Sequence, residues 1–105
     1  MDIGRILNIK QQMPAGEDIK KLTTFFSALS DNTRLRIVIL LTIRPQCVGD
    51  IVDILGASQT AISHQLQILR GQNIVEYKRV GKNVYYYLTS NLIENVLDSV
   101  VDSVC

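Results

Sequence analysis

Histidine occurs once in the 105 residues, cysteine twice, and no Lys or Arg follows position 82. Each shortage removes a class of function. The single histidine has no acidic partner in its own stretch, and there is no phosphate-binding loop or paired-carboxylate site, so the chain does not read as an enzyme. Two cysteines without framework spacing do not suggest a secreted disulfide scaffold, and a reducing cytoplasm is the expected compartment. The longest apolar run, Ile37 to Leu41, is too short to cross a bilayer, and no secretory signal is visible, so no membrane partner is expected. A chain of this length makes one domain with a thin core, to which oligomerisation would add burial.

The formal net charge is only +1, but its distribution is lopsided. Residues 1–82 hold all eleven Lys and Arg against seven Asp and Glu, whereas residues 83–105 hold only Glu94, Asp98 and Asp102. A basic body with an acidic tail would orient itself on a polyanion, tail outward.

Hydrophobic spacing predicts a mainly α chain with one small β-hairpin. Residues 1–16 are weakly patterned and end in Pro14-Ala15-Gly16, an arm with room for a short helix; residues 17–105 form the domain. Glu17 and Asp18 suit a helix N-terminus, and Ile19, Leu22, Phe26 and Leu29 make its apolar stripe. Asp31 is a good N-cap for a second helix, about Thr33 to Ile43. Its Leu35, Val38, Ile39 and Thr42 follow helical spacing, and its nearly all-round apolarity places it in the core. Arg44-Pro45 ends it.

A third helix, about Val48 to Leu55, stops at Gly56. Ser58 caps a fourth, which runs to about Gly71, with Asn73 a left-handed stop. Ile74 to Val80 and Val84 to Leu88 read as strands around the turn Gly81-Lys82-Asn83. A last helix, from Ser90 or Asn91, carries Leu92, Ile93, Val96, Leu97, Val100, Val101 and Val104 on one side.

Residues 56–70 carry most of the chemistry. Ile62, Leu66 and Leu69 fall at i, i+4, i+7 and can be buried together. The opposite side of the first two turns holds Gln59, Thr60, Ser63, His64 and Gln65, which are polar and almost uncharged. An ordinary solvated helix face would carry Lys and Glu; amides, hydroxyls and an imidazole suit the edges of bases in a major groove. With Ser58 at its start, this face is the candidate DNA-reading surface, and Gln59 and Gln65 have the atoms to pair bidentately with adenine. Lys78, Arg79, Lys82 and Asn83 surround the hairpin tip, where they suit a DNA backbone or minor groove. Thr33, Arg34 and Arg70 are weaker phosphate candidates; for Arg34 and Arg36 a solvated or salt-bridged role is equally open.

Four segments in order now carry a resemblance. They are Ala28-Leu29-Ser30-Asp31-Asn32-Thr33-Arg34-Leu35-Arg36-Ile37, Cys47-Val48-Gly49-Asp50-Ile51, Ser58-Gln59-Thr60-Ala61-Ile62-Ser63-His64-Gln65-Leu66 and Gly81-Lys82-Asn83-Val84-Tyr85-Tyr86-Tyr87-Leu88. Together they resemble the ArsR/SmtB family of repressors over about residues 18–105. The resemblance implies a winged helix-turn-helix with the order ααααββα and a homodimer through its first and last helices, with Phe25 or Phe26 in the interface. It also implies binding to double-stranded operator DNA as an inverted repeat, and release when an inducer binds. The alternative classes are a winged-helix protein-interaction module that no longer binds DNA, and a metal-responsive repressor using Cys47.

The inducer is not legible. The family's terminal-helix zinc ligands would fall at Ser90, Leu92, Ser103 and beyond Cys105, none of them a good donor, so that metal site looks abolished. The family's other metal site keeps Cys47 and Asp50 here, but residues 1–16 add neither Cys nor His. No metal and no cofactor are therefore expected. Cys105 lies where a redox- and persulfide-sensing branch of the family has its second cysteine, whereas the first would match Ile39. Thiol sensing at Cys47 and Cys105, soft-metal binding at Cys47, and Cys47 as a small buried hydrophobe all stay open.

Overall fold

The computed structural model describes residues 2–89; the expected last helix and Cys105 lie outside the described residues. Five helices and three short strands follow in the order α1 (Ile3–Gln12), α2 (Gly16–Ala28), α3 (Asn32–Ile43), β1 (Gln46–Cys47), α4 (Val48–Leu55), α5 (Gln59–Gly71), β2 (Val75–Val80) and β3 (Asn83–Leu88). The stretch expected as an arm is thus mostly helix. Asp2 caps α1 by accepting from the Arg5 N–H, yet α1 buries none of its side chains.

Local chemistry sets the boundaries. Asp31 accepts from the Arg34 N–H at the start of α3, and Ser58 accepts from the Ala61 N–H at the start of α5; each satisfies an amide that would otherwise lack a partner. Gly56 closes α4 at φ 67°, and Asn73 turns the chain out of α5 at φ 59°. Both positions lie in the left-handed region, which glycine and asparagine tolerate best.

The core gathers α3, α4, α5 and the base of the hairpin. Ile37, Val38, Ile51, Ile62, Leu66, Leu69 and Val75 are fully buried. The three-residue stripe expected on α5 is buried without exception. On α3 the buried set is Ile37, Val38, Leu40 and Leu41, while Ile39, expected in the stripe, is exposed and Ile43 is 68% exposed. A helix apolar nearly all round gives periodicity little with which to choose a face.

The three strands form an antiparallel sheet in the order β1-β3-β2. Val80 pairs with Asn83 around Gly81-Lys82, and Gly81 takes φ 62°. Cys47 pairs with Tyr85 and Gln46 with Tyr86, so the hairpin is stitched to the start of α4. The described part of the chain is therefore a helix-turn-helix, α4–α5, followed at once by a two-stranded wing.

Candidate nucleic-acid interface

Helix α5 lies on the body through Ile62, Leu66 and Leu69, and that contact decides which side chains are left outside. Gln59, Thr60, Ser63, His64 and Gln67 line one shallow, open groove, and all five are exposed. Four of these were expected from the sequence. Gln67 was not, although it stands four residues beyond Ser63 and eight beyond Gln59, on the same helical face. Among these five side chains there is no formal charge at neutral histidine, and each presents a hydrogen-bonding atom to solvent.

Gln65 is placed differently. It is half-buried on the flank of α5 facing α3, and its Oε1 accepts from Arg34 Nη1 at 3.0 Å. A bidentate pair with adenine needs both ends of the amide. Here the Arg34 guanidinium already engages one of the two lone pairs of that oxygen.

Arg70 also has work inside the molecule. Its Nε donates to Glu76 Oε1 at 2.7 Å, and its guanidinium lies 4.4 Å from the centre of the Tyr77 ring. Tyr77 in turn packs on Tyr86 across the hairpin at 5.7 Å. The Glu76 hydrogen bond raises the Arg70 pKa further, and the Tyr77 N–H together with Arg70 lowers that of Glu76. This exposed cluster ties the C-terminal end of α5 to the base of the wing.

Among the described residues the wing tip keeps its charge free of such pairing. Lys78, Arg79, Lys82 and Asn83 are all exposed, and the ion pair among the described residues is Arg70 with Glu76. Polar reading face and basic tip thus come from consecutive elements joined by a short loop.

A model of the bacterial regulatory proteins of the arsR family matches residues 31–77, which span α3 to the first half of the wing. The transcriptional repressor SmtB homolog of Synechocystis is 38% identical over 98 residues, covering 93% of this chain and 74% of that protein. This chain belongs to the ArsR family of DNA-binding transcriptional regulators. Among solved structures, reduced HlyU from Vibrio cholerae is similar with a TM-score of 0.78 and 25% identity, covering 85% of this chain and 94% of that one. The homodimeric winged helix-turn-helix DNA-binding domain of a possible ArsR-family regulator from Mycobacterium bovis matches at TM-score 0.71 and 25% identity, covering 86% and 88%.

Two features of this ArsR-family chain concern its cysteine and its histidine. Cys47 is the residue before α4, is half-buried, and its thiol donates to Asp50 Oδ2 at 3.1 Å. Among the described residues no group of three or more His, Cys, Asp or Glu converges as a metal site, and His64 stands on the exposed polar face of α5. No helix of the described residues is long and apolar enough to cross a membrane.

Proposed function

We propose that this protein is a homodimeric repressor that lays the exposed face of α5 in the major groove of an inverted-repeat operator, with its wing on the flanking backbone. The observation that carries this reading is the face itself: Gln59, Thr60, Ser63, His64 and Gln67 stand together, exposed and free of Lys, Arg, Asp and Glu, beside a basic wing tip. Base edges offer matched donors and acceptors to such a face, whereas a merely solvated face gains nothing from being free of Lys and Glu. The exposed apolar residues Ile3 and Leu7 on α1 and Ile19, Leu22 and Phe26 on α2 supply the surface for a second copy, as does the terminal stripe from Leu92 to Val104 by its sequence. Such a regulator works where its DNA is, in the cytoplasm.

Selection of duplexes from a random pool tests the reading. An inverted repeat should emerge, bound by two protomers, with affinity falling steeply as salt rises. An unstructured set of sequences with no repeat would count against it and bring forward the protein-interaction alternative.

Release by modification of Cys47 is the inducer chemistry with a specific observation behind it, because this thiol is partly accessible and lies where β1 passes into α4. Mass spectrometry after sulfide, peroxide and soft-metal treatment, with DNA affinity measured alongside, tests it. An unmodified Cys47 with unchanged affinity would sink the thiol switch; a bound metal with lost affinity would favour the metal-responsive alternative.

A further inference from the structure

Among the described residues, helix α2 meets the body chiefly at its last turn. Ala28 is the buried residue of this helix, with Leu29 just beyond it in the core and Phe25 packed against them, while Ile19, Leu22 and Phe26 stay exposed. Whatever fixes that last turn therefore fixes the direction of the whole helix. Arg34 reaches it. Its Nε donates to the Ala28 carbonyl oxygen at 2.6 Å, one of the carbonyls a helix leaves without a partner at its C-terminus. The same guanidinium donates through Nη1 to Gln65 Oε1 on α5 at 3.0 Å. Its own backbone N–H is held by Asp31 Oδ2 at 2.9 Å, so the arginine is anchored at its root as well as its tip.

We propose that Arg34 is a positioning residue for operator recognition, a strut between the dimer-forming helix α2 and the recognition helix α5. By fixing the angle between them it sets the distance between the two reading faces of a dimer. The inference rests on the dimeric reading above. A helix of the length of α2 is about 20 Å long, so a tilt of about 10° at its last turn moves the far end by about 3 Å. That displacement is close to the rise of one base pair, since one turn of roughly 34 Å holds about ten. A planar guanidinium with several fixed donors can span both acceptors at once; the single ammonium of lysine cannot reproduce that fork.

The test uses the inverted repeat selected by the wild-type protein, rebuilt with its half-sites moved apart or together by one and two base pairs. Wild type, Arg34→Lys, Gln65→Ala and the double variant are compared by fluorescence anisotropy, with folding and dimerisation checked by circular dichroism and sedimentation. Wild type should favour one spacing by about tenfold or more over its neighbours. Arg34→Lys and Gln65→Ala should each stay dimeric and bring that ratio below about threefold, and the double variant should lose no more than either single one. An unchanged spacing preference in Arg34→Lys overturns the strut, including the case where affinity falls equally at all spacings and the salt dependence flattens, which would make Arg34 a phosphate contact. A variant too unstable to fold moves the decision to Gln65→Ala, whose retained spacing preference would equally overturn it. A wild-type protein that is monomeric on a single half-site removes the dimeric reading itself, and the strut with it.

Discussion

The three glutamines of α5 face two different environments. Gln59 and Gln67 stand on the exposed reading face, whereas Gln65 is turned to Arg34. Gln59→Ala or Gln67→Ala should each lower the ratio of specific to non-specific DNA binding by about tenfold, since a good bidentate amide–base pair is worth about 1–3 kcal/mol of discrimination. Competition binding against a scrambled duplex checks this. The sequence alone placed the polar face but not the environment of each residue at its margins. Residues 65 and 67 both border the buried stripe in composition, and only the packing of α3 beside α5 decides which flank is occupied. At the wing base, Glu76 is held below the usual carboxylate range by the Tyr77 N–H and by Arg70. A depressed carboxylate contributes stability that is present above its unfolded value and is lost as pH falls through the folded one. The wing's attachment should therefore loosen as pH drops below about 4.3, the ordinary glutamate value. Amide exchange at Tyr77 during acid titration should show that step, and Glu76→Gln should remove it.

Among the elements, the caps were the most legible feature. Asp31, Ser58, Gly56 and Asn73 all occupy the boundary positions their chemistry suggests. Ser58→Ala should cost about 1 kcal/mol of stability by leaving the Ala61 amide unpartnered. Leu66→Ala, at a fully buried site, should cost about 2–5 kcal/mol. Urea denaturation measures both, and the order of the two effects is part of the prediction. Two elements were faint or absent in the sequence, for different reasons. Helix α1 buries no side chain of its own, so no stripe packed on the body announces it. Strand β1 has only two residues, fewer than any periodicity can register, yet its pairing with β3 joins the wing to the start of α4.

For the whole molecule, the exposed stripe on α2 is the feature that the described residues leave uncovered. Phe26 is 52% exposed, and Ile19 and Leu22 stand with it on the same side. Phe26→Glu should abolish self-association in sedimentation while leaving the circular dichroism of the folded body unchanged, and operator affinity should fall with it. The sequence implied this surface through helical spacing and family resemblance, but could not say whether Phe25 or Phe26 lay outside; packing places Phe25 against the core. The central claim is that base reading belongs to the α5 face and general affinity to the wing. The most direct measurement compares specific and non-specific Kd for two variants, Gln59→Ala/Ser63→Ala/Gln67→Ala on α5 and Lys78→Ala/Arg79→Ala/Lys82→Ala on the wing. The account predicts that the α5 variant binds all duplexes nearly alike, whereas the wing variant weakens on all of them with its preference kept and its salt slope reduced. An α5 variant that still prefers the selected repeat as strongly as wild type would contradict it.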